Sequence, residues 1–136
     1  MFANPPDETI RAILAVARTV AVVGCSEDPR RDSNRIARLL RAKGHRILPV
    51  NPNLEQALGL PCYPSLAAIP EAVEMVDVFR RPEHVAAVVD EVIAIGARIL
   101  WLQLGVIDEQ AAERAASSGM TVVMDRCPAI EYPRLF

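Results

Sequence analysis

The chain has 136 residues, 51% of them hydrophobic and only 4% aromatic, with a formal net charge of −2. This length fits one domain that buries roughly two thirds of its unfolded surface, and a core of Val, Ile, Leu and Ala suits a parallel sheet covered by helices. The charge excludes general attraction to nucleic acid or an anionic membrane, so an anion site has to be local. No run approaches 18 consecutive apolar residues, and the first 19 residues carry Asp7, Glu8, Arg11 and Arg18 in place of a signal pattern. A soluble intracellular protein is expected. Cys25, Cys62 and Cys127, with His45 and His84, lack the spacing of a zinc site, so reduced thiols are the default.

The periodicity predicts a helix over Asp7–Arg18, with Ile10, Ile13, Leu14 and Val16–Ala17 making its apolar face, and a first strand over Thr19–Val23. Ser33 is placed as N-cap of a helix over Asn34–Lys43, closed by Gly44. Arg46–Val50 is the second strand, ended by Asn51-Pro52. The Pro- and Gly-rich stretch that follows reads as a short helix at Leu54–Ala57, an extended piece at Leu60–Tyr63 and a helical turn at Ser65–Ala68. Met75–Phe79 is a buried strand, and Pro82 suits the first turn of a helix that runs to Ile95. Arg98–Leu102 is a strand, Asp108–Ser118 a helix capped by Asp108, and Thr121–Met124 the last strand. Asp125–Phe136, with Pro128 and Pro133, reads as a tail. Five strands alternating with four helices predict one α/β domain, a doubly wound and mostly parallel five-stranded sheet with helices on both faces.

In such sheets a ligand sits at the carboxyl ends of the strands, where the strand order reverses. The loop after the first strand opens on Gly24-Cys25-Ser26 and carries Arg30 and Arg31 ahead of Ser33. A glycine followed by a helix start is how many α/β proteins present N–H groups to a phosphate. The dinucleotide fingerprint is nevertheless incomplete, because Ser26 and Pro29 replace its second and third glycines. The second strand brings no acid before Glu55, which argues against NAD and FAD, and no arginine follows it to suit NADP. The third strand delivers Phe79-Arg80-Arg81, a basic mouth facing Arg30 and Arg31. Gln103 and Gly105 end the fourth strand, where a side-chain amide and a close backbone approach could serve a ligand. Trp101 is read as core, His84 as an exposed helix residue, and Asp125 as structural, pairing with Arg126 or holding the tail. No nucleophile-and-base pair and no metal motif stands out.

The segments AVVGCSEDPRRDS, ILPVNP, VDVFRRPE, ILWLQLGV and VVMDRCPAIEYPRL, in that order, resemble the small stand-alone CoA-binding domain proteins of bacteria and archaea. These are related to the N-terminal domain of the succinyl-CoA synthetase α subunit, and the resemblance runs from about Arg11 to Phe136. It implies a Rossmann-like domain that binds coenzyme A, or an acyl-CoA, across the carboxyl ends of its strands. Carried over by position, Gly24, Cys25 and Ser26 serve the phosphates, with Arg30, Arg31 and Ser33 closing over them. Asn51 and Pro52 line the adenosine side, Phe79 and Arg80 the middle, and Gln103 and Gly105 the pantetheine side, with Arg35 a lesser candidate. Synthetase chemistry in that family also needs a phosphohistidine domain and a nucleotide-grasp domain, which 136 residues cannot contain. The expectation is therefore a non-catalytic module that binds CoA and senses or presents acyl-CoA to a partner, or else a subunit of a split acyl-CoA synthetase or acyltransferase that borrows its partner's residues. An NAD(P)-dependent oxidoreductase is a distant third reading. A homo-oligomer or an unidentified protein partner is left open, with no nucleic acid and no membrane.

Overall fold

A computed structural model describes residues 1–136. Its centre is a five-stranded parallel sheet of β1 (Thr19–Val23), β2 (Arg46–Val50), β5 (Met75–Val78), β6 (Ile99–Leu102) and β7 (Thr121–Met124), in the order β2-β1-β5-β6-β7. The chain leaves β1 for β2 on one side and returns to add β5 on the other. The order therefore reverses between β1 and β5, and the loops after these two strands part around a crevice.

The strands are apolar almost throughout because both faces are covered. Alternation sends Ala21, Val23, Val76, Val78, Leu100 and Leu102 toward α3 (Pro82–Ile95) and α4 (Glu109–Ser117). Val20, Val22, Met75, Trp101 and Val123 go to the opposite face, against α1 (Asp7–Val16), α2 (Asp32–Ala42) and α5 (Pro128–Leu135). Trp101 is fully buried and donates its indole N–H to Arg126 O at 2.9 Å, the core role expected for it. No helix is long and apolar enough to cross a membrane.

Three expectations are corrected. Residues Leu54–Ala57 form no helix: β3 (Gln56–Ala57) and β4 (Leu60–Pro61) make a small hairpin instead. Its two turn residues, Leu58 and Gly59, have φ of 59° and 70°, the left-handed pair that a tight hairpin turn requires. Beyond it, Tyr63 bridges Val50 and covers the free edge of β2, where Pro49 is tolerated. Ser33 does not cap α2, which begins two residues earlier than expected, at Asp32 behind Arg31, with no side-chain cap. The supposed tail is α5, with Pro128 at its first position, where the missing N–H costs nothing.

Helix α5 is tied down by polar groups as well as packing. Tyr132 Oη lies 2.6 Å from His45 Nε2 and 3.1 Å from Leu14 O, and His45 Nδ1 lies 2.6 Å from Ala17 O. Buried Glu131 accepts from Arg134 at 2.9 and 3.0 Å, and the same guanidinium grips Asp7 on α1 at 2.7 and 2.8 Å. Those two carboxylates hold the Arg134 pKa above its ordinary value.

Candidate functional site

The β1/β5 crevice opens into two adjoining concavities of about 410 and 510 Å³ that share Gly24, Arg31, Asn51 and Phe79. Ser26, Asp32 and Ser33 line the first, at the start of α2. Pro52, Asn53, Arg80, Arg81 and His84 line the second, toward α3. Gly24 forms the seam. Its φ is +84°, and a Cβ there would come closer than 3.0 Å to Phe79 O, so glycine is what lets the two loops lie together.

The first loop is held by its own hydrogen bonds, which changes how it can bind. Gly24 N–H and Cys25 N–H both donate to Val50 O, at 2.9 and 3.3 Å. Ser26 N–H donates to Ser33 Oγ at 3.0 Å, while Asn34 Nδ2 and Asn51 Nδ2 donate to the carbonyls of Ser26 and Cys25. The amides of the Gly24-Cys25-Ser26 turn are therefore already engaged. Anion-binding capacity moves to the first turn of α2, where Asp32, Ser33 and Asn34 N–H have no intrahelical partner and no cap. Ser33 Oγ and Ser26 Oγ each accept one bond, the latter from Asp28 N–H at 3.0 Å, and each keeps its own proton to donate.

Charge in the crevice is positive on both walls. Arg31 and Arg80 make no ion pair, and Arg81 makes only a loose one with Glu83 at 3.9 Å. Unneutralised guanidinium groups on facing loops suit a phosphate or several. Asp32 is the one acid on the lining, and Arg35 on the next turn pairs with it.

Other expected residues lie elsewhere. Arg30 is forked onto Asp28 at 3.1 and 3.0 Å, holding that carboxyl below the usual range, and lines neither concavity. Cys25 points into the core, and burial pushes its thiol up to about 12. Gln103 is buried at the end of β6, and Gly105 N–H donates to Asp125 Oδ1 at 2.8 Å, so both sit to one side of the crevice. Asp32, Asn53 and His84 belong to the lining although the sequence reading assigned them no site role. His84 lies four residues after Arg80, within the first turn of α3, and that spacing was the available signal.

Comparison with known proteins fits this geometry. Residues 18–133 match the family described as CoA binding domain. An uncharacterised protein of Bacillus subtilis is 36% identical over 129 residues, covering 95% of this chain and 96% of its own. A hypothetical protein from Pyrococcus horikoshii superposes with a TM-score of 0.91 at 36% identity, over 99% of each chain. The ADP-forming acetate–CoA ligase I of Archaeoglobus fulgidus is 28% identical over 120 residues, which are 81% of this chain but only 18% of the ligase. The chain thus corresponds to the CoA-binding portion of such ligases and to small stand-alone proteins of its own length. It belongs to the CoA-binding domain family.

Proposed function

We propose that the protein binds coenzyme A or an acyl-CoA in the β1/β5 crevice and, on its own, catalyses nothing. The observation that carries this reading is the pair of unneutralised arginines, Arg31 and Arg80, on facing loops beside the open first turn of α2. CoA presents a diphosphate and a 3′-phosphate, which match two basic walls and a helix start. The end of β2 supports CoA over a nicotinamide dinucleotide. Asn51 stands where a ribose-binding acid would, with its amide turned back to Cys25 O and its Oδ1 accepting from Asn53 N–H. With CoA as ligand and three free thiols, the cytoplasm is the compartment we assign.

A second reading, a subunit that completes a split synthetase, rests on the archaeal ligase, of which this chain would supply only the first piece. Co-purification with a nucleotide-grasp protein favours that role, and a stable homo-oligomer alone counts against it. Binding itself is tested by thermal denaturation with added CoA. A ligand at about one hundred times its Kd stabilises by about 2.7 kcal/mol, or roughly 10 °C for a chain of this size. No shift at millimolar CoA removes the proposal.

A further inference from the structure

Three buried side-chain oxygens have no hydrogen-bond partner: both carboxylate oxygens of Asp77 and Oε1 of Gln103. Asp77 is completely buried in the middle of β5, in register with Val22 on β1 and Trp101 on β6. Gln103 lies two residues beyond Trp101, so the two side chains emerge on the same face of neighbouring strands. The ladder continues this far, with Gln103 N–H donating to Val78 O at 3.3 Å. A diagonal pair of this kind lies within reach of a side chain as long as glutamine.

An ionised carboxylate and an amide oxygen are both acceptors and cannot satisfy each other. One proton on the carboxyl turns the pair into donor and acceptor. The surroundings favour that proton: burial alone drives Asp77 well above the ordinary carboxylate range. The titratable groups of the elements packed on this face are otherwise occupied. Cys25 is a neutral thiol, Tyr132 and His45 bond each other and α1, and Glu131 is held by Arg126 and Arg134. The acids and arginines of α1 and α2 stand on their exposed sides.

We infer that Asp77 is a neutral acid that donates to Gln103 Oε1, which turns Gln103 Nε2 outward at the end of β6 as a donor for a carbonyl on the ligand's arm. Asp77 is then a positioning residue and Gln103 a specificity determinant. This rests on the CoA reading, because a pantetheine arm leaving the crevice at Phe79 and crossing the next strand end carries two amide carbonyls. An amide that donates selects an arm with acceptors and ignores ligands that stop at the phosphates.

The test measures binding of CoA and of adenosine 3′,5′-bisphosphate, which lacks the arm, to the full chain. Gln103→Leu and Asp77→Leu are each expected to weaken CoA by about fivefold, the size of one neutral hydrogen bond, and to leave the bisphosphate unchanged. Asp77→Asn keeps a donor facing Gln103 and is expected to stay within twofold of wild type. Equal losses in Asp77→Asn and Asp77→Leu overturn the inference, as does a Gln103→Leu protein whose preference for CoA over the bisphosphate is intact. If Asp77→Leu does not fold, Gln103→Leu and Asp77→Asn still decide.

A pH series separates this inference from the CoA reading. A carboxyl whose folded pKa is raised gives its full stabilisation below the unfolded value and loses it as pH rises. Wild type should therefore weaken steadily relative to Asp77→Asn from about pH 4 upward. A difference that is flat with pH overturns the neutral acid whether or not CoA binds. Wild type that follows the pH series but binds no CoA removes the proposed function and leaves the Asp77–Gln103 pair standing.

Discussion

Replacing Gly24 by alanine tests the seam of the crevice directly. Two costs meet at this position. At φ +84° an L-residue loses about 1–2 kcal/mol relative to glycine. The added Cβ also runs into the main-chain oxygen of Phe79, with Arg80 Cδ 3.3 Å away, and a backbone carbonyl cannot turn aside as a flexible side chain can. Such overpacking costs about 1–3 kcal/mol, so the variant should lose about 2–5 kcal/mol in all. Gly44→Ala is the control: its φ is +101°, but nothing lies within 4 Å of the new Cβ, so it carries the backbone cost alone. Urea denaturation of both variants, read as midpoint shifts at constant slope, isolates the contact. The same variant should also weaken CoA, because Phe79 and Arg80 must move to admit the methyl group. Equal destabilisation by Gly24→Ala and Gly44→Ala would refute the close approach of the two loops.

The other predictions concern charge, thiols and the C-terminal helix. Arg80→Ala, and separately Arg31→Ala, should each weaken CoA by about 1.5–3 kcal/mol in a binding titration, while Arg30→Ala, whose charge is spent on Asp28, should leave affinity near wild type. In a thiol-reagent assay at pH 8 one cysteine, half-buried Cys127, should react in the native protein and all three in denaturant; rapid labelling of Cys25, whose thiol is pushed up to about 12, would contradict its placement in the core. Tyr132→Phe removes the hydroxyl shared by His45 and Leu14 O and should cost about 1–3 kcal/mol of stability. A loss below the error of the denaturation curve would mean that this hydroxyl does not hold α5 to α1.

The strands of the main sheet were readable within a residue because both faces are buried, which leaves continuous apolar runs rich in β-branched residues, such as Thr19–Val23, set between turn signals. The ends of those strands located the crevice for the same reason. What failed had a physical cause in each case. Leu58 occupies a left-handed turn position that Asn, Asp or Gly usually marks, so the β3–β4 hairpin carried half of its usual signal. Two prolines eight residues or fewer from the chain end disguised α5, although Pro128 stands where a helix accepts it and Glu131 and Tyr132 fall on one buried side.

Side-chain partnerships were harder still. Nothing in the spacing of Asp28, Arg30 and Arg31 says which arginine the acid will take, and the structure gives it Arg30. The hydroxyl of Ser33 was available to cap α2 and instead accepts from Ser26 N–H, seven residues back. That single choice closes the glycine turn to ligands and leaves the helix start open. The anion site we propose is consequently one turn further along the chain than the Gly24-Cys25-Ser26 motif suggests.

Calorimetric titration of the protein with CoA, dephospho-CoA, NAD and ADP tests the central claim most directly. The arrangement of Arg31, Arg80 and the first turn of α2 predicts saturable binding of CoA, weaker binding of dephospho-CoA for want of the 3′-phosphate, and the weakest binding of NAD. NAD bound as tightly as CoA, or CoA not bound at all, would contradict it.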